Sequence, residues 1–312
     1  MFLKIQTIVI ILLFLATTAS YVFAQSAGEW NKKGTELYKE GKYGEAAKCF
    51  DKAIKLAPKS ADLWFNLGNC YYRMDAQLMA SNYYSEALKL KPASDKFLAY
   101  KACALVYREP EEAEKYCQKA LKINPKSAYG LMAKGKLLIQ KERYEEAIKY
   151  LNNSLAINPK SCDGWFEKGN SLQELGKYEE AIKCYNKAIE IDSGYASVWY
   201  LKGNTLWKLG KYEEAMKCID KASEIAPKFY FIYTMGRNLH ELKRYEEAIK
   251  YYNKALGIEC TYSQAWYYKG EALCKLGKYE AAIKCYDKAL ETYPDFEEAK
   301  KGKEEALKAS GK

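Results

Sequence analysis

Histidine is nearly absent from this chain: His240 is the only one among 312 residues. Ser-His-Asp and Cys-His constellations would all have to be built on that one imidazole. No G-x-S-x-G stretch occurs, so the usual nucleophile turn is excluded as well. A phosphate loop is also lacking. Six residues separate Gly203 from Gly210-Lys211 where four are needed, and Tyr212 stands where Ser or Thr is required. Cys70, Cys103, Cys117, Cys162, Cys260 and Cys274 show no C-x-x-C spacing and have no histidine nearby, which argues against zinc. Concentrated basic runs are missing too. The formal net charge is +10, but the lysines alternate with glutamates, as on a solvated helical surface, so no nucleic-acid partner is expected. The sequence offers no catalytic residue, no metal ligand and no cofactor site.

What the chain has in abundance is self-similarity. Residues 162–195 read CDGWFEKGNSLQELGKYEEAIKCYNKAIEIDSGY, and the pattern returns 34 residues on, from Ala196, and again from Ser263. Trp165, Trp199 and Trp266 share the fourth place of their units, and Gly169, Gly203 and Gly270 the eighth. Ala181, Ala215 and Ala282 share the twentieth, and Ala188, Ala222 and Ala289 the twenty-seventh. A fixed period in this range is the signature of a solenoid. Each unit holds two segments of helical apolar periodicity, split by a turn such as Leu175-Gly176-Lys177-Tyr178. The glycine supplies a left-handed cap, and Glu179 and Glu180 then fall in the first turn of the second helix, where acids suit the dipole. That capping role also accounts for the recurring acid pair without acid–base chemistry. Small residues at places 8 and 20 let two helices approach, and Trp165, Leu172 and Tyr185 fill the space between helices.

The units are 27–60, 61–94, 95–127, 128–161, 162–195, 196–228, 229–262 and 263–296, followed by a capping helix and tail at 297–312. The third is least regular: Ala102 replaces the glycine, and Arg108-Glu109-Pro110 makes a turn one residue short. In the fifth, Ser193 replaces the closing proline. The Pro-Lys-Ser ends stop one helix and offer a serine to cap the next. Residues 297–310 form a charged helix suited to covering the last repeat. Cys49, Cys184, Cys218 and Cys285 recur at place 23. Equal places in neighbouring repeats lie roughly 20 Å apart, from two helix spacings, and a disulfide needs Cα atoms within about 7 Å. These four are packing residues.

Residues 1–24 differ in kind. Lys4 precedes a strongly apolar core, and Val22-Phe23-Ala24 ends in a small residue. This is a secretory signal cleaved after Ala24 or, alternatively, an uncleaved membrane anchor. Either places the repeats outside the cytoplasm, secreted or held at the membrane through that segment alone. Ten cysteines sit awkwardly with an oxidising compartment unless they are buried or the host is anaerobic.

The period and the succession Trp, Gly, Tyr/Leu, Ala, Tyr/Phe, Ala, Pro resemble the tetratricopeptide repeat family, from Ala27 to the C-terminus. The resemblance implies an all-α fold, a right-handed superhelical α-solenoid of about eight helix-turn-helix repeats plus a C-terminal capping helix. It also implies that the first helices line a concave groove that holds a protein or peptide segment. The family's groove places map onto Phe65, Phe166, Tyr200, Tyr233 and Tyr267 at place 5. They map onto Asn69, Asn170 and Asn204 at place 9, and onto Tyr72 and Trp207 at place 12. Rigid aromatics suit recognition, and asparagine amides can pair with a peptide backbone in both directions. The family's carboxylate clamp does not carry over. Its positions hold Asn31, Thr35, Asn66, Lys96 and Tyr100 here, and only Asn66 and Lys96 match. The expectation is therefore a non-enzymatic interaction scaffold. The alternative is a structural or self-associating component of an envelope assembly, with no dedicated peptide site.

Overall fold

The computed structural model describes residues 26–311; the leader read at residues 1–24 lies outside them. Among the described residues the chain is all-helical, with 17 helices in consecutive helix-turn-helix pairs, an α-solenoid. The pairs begin with α1 (26–39) and α2 (Tyr43–Leu56), α3 (Ala61–Arg73) and α4 (Gln77–Leu90), and α5 (Asp95–Leu105) and α6 (Pro110–Ile123). They continue with α7 (Ala128–Gln140) and α8 (Tyr144–Ile157), α9 (Cys162–Glu174) and α10 (Tyr178–Ile191), and α11 (Ala196–Lys208) and α12 (Tyr212–Ile225). The last are α13 (Phe229–Glu241) and α14 (Tyr245–Ile258), α15 (Ser263–Lys275) and α16 (Tyr279–Thr292), followed by a single α17 (Glu297–Ala309). No helix among them is long and apolar enough to cross a membrane.

One rule of packing repeats through the array. A Cβ added at the glycine of place 8 would meet the large side chain at place 24 of the partner helix. From Gly169 it would come within 2.6 Å of the Tyr185 ring, and from Gly68 within 2.6 Å of Tyr84. The glycine is thus the seat of a buried ring rather than merely a thin point between two backbones. The third repeat breaks the glycine and the ring together: Ala102 sits where Cys117 stands in place of a tyrosine, and both are fully buried. Place 15 is left-handed in seven of the eight turns. Gly41, Gly176, Gly210 and Gly277 have φ of 76, 72, 76 and 72°, and Asp75, Glu142 and Lys243 take 59, 58 and 59°. The short turn of the third repeat dispenses with it.

The tryptophans of place 4 have a second role beyond filling space. They are half-buried, and their indole N–H groups donate to the carbonyl six residues earlier: Trp64 to Pro58 at 2.8 Å, Trp165 to Pro159 at 2.9 Å and Trp266 to Cys260 at 2.9 Å. Each ties the start of one repeat to the last turn of the repeat before. Ser127 and Ser161 cap their helices by accepting from the N–H of Gly130 and Gly164; Ser60 makes no such bond. All ten cysteines carry free thiols, and eight are buried, including the four at place 23. Helix α17 covers the last pair with Ala299, Gly302 and Ala306, the glycine lying against the Tyr286 ring.

The helices form two compact units, one ending at Val198 and the other beginning at Trp199.

Candidate functional site

The first unit turns back on itself. Its fifth repeat meets its first two, and Arg73, the last residue of α3, is the centre of the contact. Its guanidinium pairs with Asp163 at the start of α9 and, through Nε at 3.0 Å, with Asp192 just beyond α10. These three side chains are 7%, 4% and 10% exposed. The Tyr195 ring stacks on the guanidinium, whose carbon lies 4.5 Å from the ring centroid. Tyr43 donates to Asp192, and Tyr100 donates to Asp163 at 3.1 Å. Burial alone would make Arg73 easier to deprotonate. Burial is the largest single influence, but Asp163 and the other groups around it together exceed it and hold the guanidinium above even its ordinary high pKa. Backbones touch at the same seam: a Cβ at Gly41 would lie 2.5 Å from the Gly194 Cα.

A second buried ion pair fills the interior. Lys136 of α7 pairs with Glu167 of α9 at 2.9 Å and donates to the Tyr72 hydroxyl at 2.6 Å. Burial works most strongly against the Lys136 charge, and Glu167 together with the neighbouring thiol and phenols more than offsets it, raising its pKa. Two ion pairs this deep are rarely a source of net stability against an apolar alternative, but removing one partner is strongly destabilising.

In the first unit, three of the residues expected to line the groove are buried. Phe65 is 1% exposed, packed between Phe97 at 4.6 Å and Tyr84 at 5.4 Å. Tyr72 is 2% exposed and engaged by Lys136, and Phe166 lies buried against Tyr185 and Tyr195. Their faces are occupied by the protein's own side chains. Asn69 and Asn170 are half-buried, and their carbonyl oxygens accept from the hydroxyls of Tyr84 and Tyr185 at 2.9 and 3.0 Å. Place 9 thus serves place 24, satisfying a phenol that would otherwise be buried without a partner. In the last repeat Glu271 does the same for Tyr286 at 3.0 Å.

The second unit keeps its inner-face residues half-exposed. Tyr200 of α11 stacks on Phe231 at 4.5 Å and its hydroxyl meets that of Thr234 at 3.1 Å. Tyr233 of α13 is edge-on to Tyr262 at 5.0 Å, and the Arg237 guanidinium carbon sits 3.9 Å from the centroid of the Tyr268 ring. Tyr267 of α15 contacts Tyr268 and Phe296. Trp207 leans on Tyr212 at 4.5 Å. Asn204 faces a repeat whose place 24 is Ile219, so no phenol claims its carbonyl. Burial, opposed by the Arg237 hydrogen bond, raises the Tyr233 phenol to about 12; burial and then Glu271 raise Tyr267 to about 12. Both remain neutral donors at physiological pH. Burial also lowers the His240 pKa, which favours the neutral ring between Tyr245 and Tyr268.

Residue-by-residue reading of the repeats did not single out Arg73, Asp163, Asp192 or Tyr195. The signal available was the broken closing motif of the fifth repeat, Asp192-Ser193-Gly194 in place of a proline end.

Comparison with known proteins points one way. Family models described as "TPR repeat" match residues 34–75 and 169–210, and those described as "Tetratricopeptide repeat" match 61–94, 196–229, 230–259 and 263–296. A model described as "Anaphase-promoting complex, cyclosome, subunit 3" matches 107–188. Among curated relatives, a Hsp70-Hsp90 organizing protein of Triticum aestivum is 30% identical over 106 residues, 34% of this chain and 18% of that protein. A STIP1 homolog of Dictyostelium discoideum is 35% identical over 104 residues, 33% of this chain and again 18% of the relative. RNA polymerase II-associated protein 3 of Mus musculus is 29% identical over 105 residues, 33% of this chain and 16% of that protein. The matched stretch is therefore under a fifth of each of these relatives.

Proposed function

Since the chain belongs to the tetratricopeptide repeat family, we propose that it is a non-enzymatic protein-interaction scaffold, gripping a protein or peptide segment on the first-helix face of its second unit. The observation that carries this reading is that Tyr200, Trp207, Tyr233 and Tyr267 on α11, α13 and α15 all stay half-exposed at recurring first-helix places. Aromatic anchors of this kind give large contact area at small entropic cost. Asn204 adds an uncommitted amide for the partner's backbone, and Arg237, stacked on Tyr268, adds a cation whose acidic neighbour Glu241 stands off at 3.9 Å. The relatives named as organizing proteins for Hsp70 and Hsp90 support a protein partner in general. The carboxylate clamp remains incomplete, with Thr35 bonded to the Asn31 carbonyl at 2.8 Å.

The test is crosslinking and capture from the source cell with Trp207→Ala, Tyr233→Ala and Tyr267→Ala combined, against Phe65→Leu in the first unit. The triple variant should lose the captured partner while Phe65→Leu retains it. Equal capture by both would remove the second unit's inner face from consideration.

A further inference from the structure

Closure of the first unit leaves a solvent-open pocket of about 300 Å³. Five repeats contribute to its wall, and the residues that matter are three lysines, Lys39, Lys96 and Lys160, with Asn69, Tyr129 and Asn158 beside them. The Arg73 cluster forms one side. Its two aspartates are already engaged by the guanidinium and by the hydroxyls of Tyr43 and Tyr100. The three lysines stand apart from it: none pairs with a carboxylate among the described residues. Lys96 is the telling one. It is half-buried, its ammonium 4.4 Å from the centroid of Phe65 and 5.5 Å from that of Tyr129. Asp62, the acid that acts on it from a distance, is itself paired with Lys91 at 2.7 Å. Burial lowers the Lys96 pKa, and an ammonium withdrawn from water without a counter-charge is unfavourable.

We propose that this cavity is a binding site for a small, doubly charged oxyanion, a phosphate- or dicarboxylate-bearing molecule. The lysine charges exceed the net charge of the Arg73 cluster, the asparagine amides and the Tyr129 hydroxyl supply donors, and the volume suits a small molecule rather than a chain. The site exists only because the fifth repeat returns to the first two: Lys39 ends α1, Lys96 begins α5, and Lys160 lies in the turn before α9. It is separate from the aromatic face of the second unit and does not depend on it.

Isothermal titration of the full chain at low ionic strength, with inorganic phosphate and with succinate in separate runs, tests the site. Saturable one-to-one binding of at least one probe is expected. Lys96→Met, which keeps the contact with Phe65 and Tyr129, should weaken it tenfold or more, and Lys160→Gln severalfold. Lys187→Gln, on the outside of the same unit and paired with Glu190, should leave it unchanged. Thermal unfolding should show Lys96→Met at least as stable as the parent, so that lost binding is not lost folding. The stronger probe identifies which oxyanion the donors favour. Absence of saturable binding to both probes, or equal affinity in the parent and Lys96→Met, would overturn the proposal.

Discussion

The two units are built from one repeat and use it differently. In the first, the inner-face places are spent internally: Phe65, Tyr72 and Phe166 are buried, and Lys136 holds both Glu167 and Tyr72. In the second, the corresponding places stay half-open at Tyr200, Trp207, Tyr233 and Tyr267. The difference does not lie in the packing rules, which both obey, with a small residue at place 8 against a larger one at place 24. It lies in a few side chains that the period does not constrain. Arg73, Asp163, Asp192 and Gly194 draw the fifth repeat onto the first two, and Lys136 and Glu167 fill the interior behind them.

The comparison breaks most directly at Arg73. Arg73→Ala leaves Asp163 and Asp192 buried without their cation, a loss of about 3–5 kcal/mol. Hydrogen exchange followed by mass spectrometry should show α3, α9 and residues 192–198 losing protection while α13 to α16 are unchanged. A loss spread equally over both units would mean that Arg73 does not latch the first. A smaller effect separates two of the left-handed glycines, Gly41 and Gly210, both at a φ of 76°. Gly210→Ala meets open space and should cost only the left-handed conformation, about 1–2 kcal/mol. Gly41→Ala must in addition push against the Gly194 backbone, so its loss on denaturant unfolding should be clearly larger. Equal losses would show the seam to be loose. The smallest effect concerns place 24. The Tyr185 hydroxyl reaches Asn170 and Gln173, at 3.0 and 3.3 Å, whereas the Tyr252 hydroxyl is buried with no hydrogen-bond partner. Tyr185→Phe should cost about 1 kcal/mol, and Tyr252→Phe should be neutral or slightly stabilising. Thermal melts of the two variants decide the sign.

Much of the fold was legible because it is local. The left-handed turn at Gly176, the acidic first turn at Glu179 and Glu180, and the repeating Gly–Ala spacing are short-range demands, written again in each unit. The candidate site was legible only in part. Place 5 and place 9 look like one surface throughout the sequence, because a repeat says which way a side chain leaves its helix and not what waits there. Asn69 and Asn170 show this well: their place suits pairing with a peptide backbone, and their carbonyls accept from tyrosines 15 residues on. The tryptophan bonds to a carbonyl six residues back are hidden for the opposite reason, since packing alone is a sufficient role for Trp165.

The sequence alone determined an all-helical array of paired helices, its turns and its buried seams, since each follows from side-chain size and backbone freedom within one or two adjacent repeats. The tertiary structure alone decided that Arg73 would find two aspartates, 90 and 119 residues away. Small rotations between repeats add up over that distance, and no local pattern records their sum. That sum places Lys39, Lys96 and Lys160 around one cavity in the first unit.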